Sequence, residues 1–376
     1  MIDMLVLRCW FRDQEELTVK DLPIPLEASI DPGSGDVYAH RHRWEQIPSS
    51  HDTLAFKVFD YDLKDGRRFY IEIKASPAKI MQGHNVFGTD DVGKCAYALI
   101  ECLFNRYPDL FDLLDYSTWS VHQVDVTYHS FADSEENAVR FIHALANVSN
   151  GQTKPRSGYE STTYFGKKRS RLKKIKVYAK HTELLQRLRD IERKGDPHKV
   201  LQYYGPRLIE YTKGMIRWEV SLYARWLERR GISTNLFEFI KQFDPKAAWT
   251  DATKDIFAAM RGREMRVIRD DDVRKKLRQH LKRTTRSGRP SYTLADSVYR
   301  TYRTIKAEGF DEARALIPYR TFHRHIQLLM ASVGISKAHL MQMKGQGLEC
   351  EVVPFVRYVK VEFGRQFPDW YEGEAA

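Results

Sequence analysis

The sequence predicts an α+β protein. A central antiparallel sheet with flanking helices is expected over residues 1–230, followed by a mostly helical C-terminal domain over 231–376. Three observations lead there. Short segments rich in aromatic and β-branched residues, each bounded by turn residues, recur through the first part of the chain. They outnumber the helices that could serve as crossovers, which disfavours a parallel, doubly wound sheet. Beyond Gly231 the pattern changes to apolar residues at helical spacing.

Taken in order, the predicted strands are Asp3 to Trp10, Thr53 to Tyr61, Arg67 to Ala75, Val121 to His129, Thr162 to Gly166, Lys173 to Ala179 and Met215 to Tyr223. Helices are expected over Asp91 to Asn105 and over Ser134 to Ala146. In the second, Ser134 is the N-cap and Glu135 and Glu136 meet the positive end of the helix dipole. A third begins near Lys180 and carries Leu184, Leu185 and Leu188 on one face. Asn150 to Gly158 is the most loop-like stretch. The later helices are expected at Leu236 to Phe243, Thr250 to Met260, Asp271 to Lys282, Thr293 to Glu308, Asp311 to Ala315 and Arg320 to Val333, with a closing strand pair between Cys350 and Phe363. Around Arg320 to Gly334 the spacing suits the second helix of a winged helix-turn-helix. Arg320, Thr321 and Arg324 would face a groove, with Phe322, Ile326 and Leu329 packed inward and Gly334 ending the helix. The same spacing also describes an ordinary amphipathic core helix.

Hydrophobic content of 42% and charged content of 30% describe a globular chain, and its 376 residues suffice for two cores. No apolar run approaches the roughly 18 residues of a membrane-spanning helix. Arg8 falls too early in MIDMLVLRCWFR for a signal peptide. Four cysteines without a CxxC pair suit reduced thiols in a cytoplasm and give no zinc signature. The net charge of +11 is concentrated: between Gly166 and Arg230 there are 19 Lys/Arg against 7 Asp/Glu. Such a block favours a polyanion, and without a clean amphipathic helix nucleic acid is preferred over a lipid surface.

The densest part, GKKRSRLKKIKVYAK (166–180), contributes Lys167, Lys168, Arg169, Arg171, Lys173, Lys174 and Lys176 as candidate DNA-backbone contacts and runs into Tyr178 and Lys180. A phenol at the end of a cationic strand can attack a phosphate, and the cations are expected to favour phenolate over phenol. Lys180 would share the strand face of Tyr178 if the strand continued that far. Glu72 in FYIEIKAS and Asp125 in VHQVDVTYH are carboxylates inside apolar strands, costly to bury without a cation or metal partner. Set side by side they would offer hard oxygen ligands to Mg²⁺ or Mn²⁺, with Glu219 in IRWEVSLY and the loop residue His84 as further candidates. Each carboxylate alone also fits the solvent side of a half-exposed strand. Gly83 to Gly88 has the two-glycine spacing of a nucleotide loop, but Thr89 stands where its Lys should be, so ATP is not expected.

The strings MIDMLVLR (1–8), IEIKASPAKIMQGHNVFGT (71–89), NVSNGQTK (147–154), VYAKHTEL (177–184), RWEVSLYARWLERRGISTNLFE (217–238) and PDWY (368–371) run from one end of the chain to the other. On them the chain resembles the filamentous-phage gene II replication initiators, and through VYAK, preceded by Tyr164-Phe165-Gly166, the rolling-circle plasmid initiators and their HUH-like nuclease core. The resemblance implies a metal-dependent, ATP-independent nickase acting in the host cytoplasm. It would open the plus strand at the origin of supercoiled double-stranded DNA through Tyr178, start rolling-circle synthesis, and rejoin the displaced single strand. It also implies a host helicase and polymerase as partners, assembly of protomers on the origin, no membrane partner, and a shorter internal-start product near Met265. Two other classes stay open: a non-catalytic basic DNA-binding protein, either repressor or single-strand binder, and a conjugative relaxase.

Overall fold

A computed structural model of the chain describes residues 1–12, 19–63, 66–145, 155–159, 162–167, 169–193, 202–260, 270–285, 287–335, 340 and 361–371. These form two compact units: 1–131 with 166–254 and 361–376, and 132–165 with 255–360. A single cut near Gly231 therefore does not reproduce the division, because the chain enters each unit more than once.

The first unit is built on a fully antiparallel sheet. Its strands are β1 (Ile2–Trp10), β4 (Glu45–Pro48), β5 (Thr53–Leu63), β6 (Gly66–Ala75), β7 (Ser120–Phe131), β10 (Lys173–Ala179) and β11 (Met215–Tyr223), in the spatial order β4-β5-β6-β1-β7-β11-β10. A separate hairpin, β2 (Glu27–Ile30) with β3 (Val37–Arg41), lies outside this order and is not among the predicted strands. Alternation divides the main sheet into two unlike faces. One carries Leu5, Leu7, Cys9, Phe56, Val58, Ile71, Ile73, Val124, Val126, Trp218 and Val220, all buried.

Helix α1 (Pro77–Gln82) and helix α2 (Val92–Arg106) cover the β1, β5 and β6 part of that face, with Ala78, Cys95, Ala96, Leu99 and Leu103 buried between. The α2 helix starts where it does because the Asp91 side chain accepts the Lys94 backbone N–H at 3.0 Å. A single turn, α3 (Leu110–Leu113), buries Leu110 before the chain enters β7. Over β7 and β11 the cover is Trp249. Its indole N–H donates to the Trp218 carbonyl at 3.3 Å and its ring meets Tyr128 edge-on at 5.6 Å. Burying each such aromatic stabilises the fold by about 2–3 kcal/mol. The opposite face carries the charges and the candidate site.

In the second unit, helix α4 (Glu135–Leu145) is capped as expected, with the Asn137 N–H reaching the Ser134 hydroxyl at 3.2 Å. It is tied to the hairpin β8 (Pro155–Tyr159) and β9 (Thr162–Phe165) by Thr163 Oγ1 donating to the Ile142 carbonyl at 2.9 Å. The expected loop thus becomes a strand at its C-terminal end, where pairing with β9 overrides the turn chemistry of Pro155 and Gly158; residues 150–154 lie outside the described residues. Further on, Val273, Leu277, Val298, Tyr302, Ile305, Phe322, Ile326 and Leu329 form one helical core. The helix Tyr319–Val333 buries Phe322, Ile326 and Leu329, exposes Arg320, Thr321 and Arg324, and ends on Gly334 at φ 81°, as its spacing requires. The anticipated strand pair near 350–363 falls mostly outside the described residues, as does Met265, and residues 361–363 are not strand.

Gly83 closes α1 at φ 80°, and a Cβ there would be driven into the Tyr203 ring. Gly83→Ala is expected to destabilise the fold by ~2–4 kcal/mol, part from left-handed strain and part from the clash. Measured by denaturant unfolding in a Tyr203→Ala background, the substitution should cost only the strain.

Candidate active site on the charged face of the sheet

Residues paired across antiparallel strands project from one face, so the register assembles this site directly. Tyr178 on β10 opposes Arg217 on β11, which opposes His129 on β7. Lys176 opposes Glu219, which opposes Thr127, while Lys174 opposes Ser221, which opposes Asp125. Glu219 is therefore the diagonal neighbour of both Tyr178 and Asp125.

Arg217 is the centre of this arrangement. Only 1% exposed, it donates through Nη1 to the Asn85 and Val86 carbonyls and reaches Asp3 Oδ1 through Nη2 at 3.4 Å. Asn85 Nδ2 donates to the same Asp3 oxygen at 2.8 Å. Asp3 gets there through a bulge in β1 between Ile2 and Met4, which turns its side chain toward Arg217. Burial opposes ionisation of Asp3, but Arg217 and Lys180 outweigh it and hold the carboxyl below its usual range. The Arg217 Nε N–H is buried with no hydrogen-bond partner among the described residues.

Tyr178 is 3% exposed, and its hydroxyl makes no hydrogen bond among the described residues. Lys176 Nζ lies 4.0 Å and Lys180 Nζ 6.0 Å from its ring centroid. Burial pushes the phenol well above its ordinary value, and Arg217 opposes that shift. This corrects the expectation that the cationic run would favour phenolate: desolvation dominates, and the opposing cation comes from the neighbouring strand.

A helix does begin at Lys180 (α5, Lys180–Arg193), yet its ammonium stays over Tyr178. Two acceptors hold it there: Glu183 Oε2 at 2.6 Å, one turn along the helix, and Asn85 Oδ1 at 3.3 Å. Burial lowers the Lys180 pKa to about 8.

The carboxylates divide into two places. Asp125 accepts from Gln123 Nε2 at 2.8 Å, and burial together with the Glu219 charge pushes its pKa up to about 7. Burial likewise raises Glu219, against the pull of Lys176 Nζ at 3.8 Å. The Thr127 hydroxyl beside them is buried and unpartnered among the described residues. Glu72 is elsewhere. Strand β1 separates β6 from β7, so Glu72 and Asp125 lie two strand spacings apart, ~10 Å. Glu72 is also level with Arg8 and Ser120, well down β7 from Asp125, and it accepts from Arg8 Nε at 2.6 Å. The expected pairing of Glu72 with Asp125 is thus not formed, and Arg8 is the cation that satisfies Glu72.

His84, in the loop after α1, packs edge-on against Phe87, and burial followed by Lys180 and Arg217 lowers its pKa to about 4. Of the basic run, Lys167, Arg169 and Arg171 are exposed in the turn before β10. Lys173 Nζ is held by the Ala252 carbonyl at 2.6 Å, and Lys174 lies over the Tyr223 ring. Lys168 lies outside the described residues. Sequence reasoning missed Asp3, Asn85, Glu183 and Arg217. Arg217, flanked by Ile216 and Trp218, carried the same signal that singled out Glu219.

Among the described residues no three or more His, Cys, Asp or Glu side chains are grouped to hold a metal ion, and no helix is long and apolar enough to cross a membrane.

Comparisons with known proteins agree with the resemblance seen in the sequence. The N-terminal family model of the phage replication-associated protein matches residues 1–244, and its C-terminal counterpart matches 285–375. The replication-associated protein of Enterobacteria phage f1 is 32% identical over 99% of this chain and 98% of its own length. That of Salmonella phage IKe is 31% identical over 99% and 96%. No solved structure matches significantly. The chain belongs to the replication-associated protein family of filamentous phages.

Proposed function

We propose that this chain is a replication initiator that nicks one strand of origin DNA through Tyr178 and later rejoins the ends. One observation carries the reading: a buried tyrosine stands opposite a buried guanidinium, and among the described residues neither the hydroxyl nor the Nε N–H has a hydrogen-bond partner. A phosphodiester entering there would meet a nucleophile and a charge-assisted donor together.

The phenolic oxygen attacks phosphorus while the bond from phosphorus to the 3′-oxygen breaks. This leaves a 5′-phosphotyrosine and a 3′-hydroxyl that can prime synthesis. Lys180, with its pKa near 8, has a neutral fraction close to physiological pH. It takes the phenolic proton and returns it to the departing 3′-oxygen. Arg217, fixed by Asp3 and the 85–86 carbonyls, holds the non-bridging oxygens. Reversal by a new 3′-hydroxyl rejoins a strand without ATP, since the phosphotyrosine keeps the ester's energy. The exposed Lys167, Arg169 and Arg171 hold flanking phosphates.

The residues also fit a divalent cation. Burial raises the pKa values of Asp125 and Glu219, the Glu219 charge adding to the shift at Asp125, and the Thr127 hydroxyl beside them is unpartnered among the described residues. These three would hold Mg²⁺, which when bound supplies polarisation of the scissile phosphate.

Tyr178→Phe is expected to abolish relaxation of origin-bearing supercoiled plasmid, by ~10³-fold or more, while binding of that DNA is retained. A protein that only binds DNA would show no relaxation before or after the change. The carboxylates give a second test. Because the folded-state pKa of Asp125 lies near 7 against an ordinary 3.8, its cost to stability grows as pH rises between these values and is complete above them. In chelator at pH 8, Asp125→Asn should melt ~5 °C above the parent, and the gap should close at pH 4. Adding Mg²⁺ at pH 8 should raise the parent and leave the variant unchanged. Equal midpoints at pH 8 in chelator would contradict the assignment.

A further inference from the structure

The charged face continues beyond Asp125 onto β1, β6 and β5, and there it becomes aromatic. Trp10 opposes Tyr70, which opposes Phe59. Phe59 and Tyr70 stack at 5.0 Å with planes 9° apart. Trp10 meets Tyr70 edge-on at 5.2 Å, and Trp44 meets Phe59 edge-on at 6.1 Å. Cations interleave: Arg8 lies 4.9 Å from the Tyr70 centroid, Lys57 4.8 Å from Phe59, and Lys74 3.3 Å from Trp44.

Core packing does not account for these rings. The residues that alternate with them, Phe56, Val58, Ile71, Ile73, Leu7 and Cys9, form the buried face under α2. Trp44 is 40% exposed, and Trp10, Phe59 and Tyr70 are half-buried. Beside Trp10 and Tyr70 a recess of about 150 Å³ opens, lined also by Arg8, Ser120 and His122.

We propose that this aromatic and cationic ladder is a stacking platform for the bases of an unpaired DNA strand, with Arg8, Lys57 and Lys74 meeting its phosphates. The exposed Trp44 offers ring surface that any base can use, whereas bases inside a duplex cannot reach it, and the stacked Phe59 and Tyr70 with Lys57 and Arg8 over them hold the ladder in register. The three cations match a polyanion. Glu72 acquires a role here: its 2.6 Å bond to Arg8 Nε fixes the guanidinium over Tyr70, which makes it a positioning residue for the platform. The ladder and Tyr178 share one sheet face, with the ladder at its more exposed part and Tyr178 buried at the other. That the ligand is DNA rests on the nickase reading; the platform itself rests on the ring and cation geometry.

The test uses the full chain with a fluorescein-labelled single-stranded oligodeoxynucleotide, its duplex, and RNA of the same sequence, read by anisotropy. Phe59→Leu with Tyr70→Leu keeps apolar volume and removes the rings. It should weaken single-strand binding by roughly tenfold or more and leave duplex binding unchanged. Trp44→Leu, at an exposed position that cannot collapse the fold, should weaken it several-fold. Photocrosslinking of a 5-iododeoxyuridine strand to the parent should label peptides containing Trp44, Phe59 or Tyr70. Unchanged single-strand affinity in both variants, crosslinks confined to other peptides, or tighter binding of RNA than of DNA would overturn the proposal. Tyr178→Phe, titrated alongside, separates the two readings. If it still nicks, the nickase reading fails on its own; if it binds single strands like the parent, the ladder is independent of the nucleophile.

Discussion

The site depends on one buried guanidinium. Arg217 sits in the middle of an apolar strand, and an uncompensated charge there would cost several kcal/mol. Two separate pieces of chain answer that cost: the β1 bulge that brings Asp3, and the backbone of the loop after α1 at Asn85 and Val86. Lys180, a second buried cation that shares Asn85, is held instead by Glu183. Satisfying Arg217 therefore holds Asp3 and Asn85 beside Tyr178 and Lys180, and the proposed chemistry would use an arrangement that folding already requires.

The two faces of the sheet do different work. The apolar face takes its helices and supplies stability. The opposite face collects groups that burial disfavours in their charged forms: Asp125 and Glu219 rise and Lys180 falls, in each case with desolvation as the main cause. Opposed shifts in neighbouring groups bring proton exchange toward neutral pH, which suits acid–base chemistry at a phosphate. Desolvation also acts on Tyr178 and keeps it a protonated phenol, so the proposed attack would need a proton acceptor.

Much of this is legible in the sequence because strand alternation is local. The boundaries of β10 and β11 follow directly from their residues, and Glu219, Asp125 and Tyr178 are conspicuous inside apolar strands. What a sequence does not carry is strand order. A carboxylate in an apolar strand announces that it needs a partner without naming which strand supplies it. Glu72 found Arg8, and Asp125 found Glu219, Gln123 and Ser221. Strand β8 reads as loop because Pro155 and Gly158 are turn formers, and pairing with β9 overrides them. The compact units also escape a linear reading, since the chain leaves the first unit after Phe131 and returns at Gly166.

The central claim is that the Tyr178 oxygen becomes covalently joined to a 5′-phosphate. Mass spectrometry of tryptic peptides, after reaction with a single-stranded origin oligonucleotide whose 3′ product can diffuse away, reads this directly. A nucleotide adduct is expected on the peptide containing Tyr178, absent when Tyr178 is Phe. An adduct on a different residue, or cleavage that leaves no adduct, would contradict it.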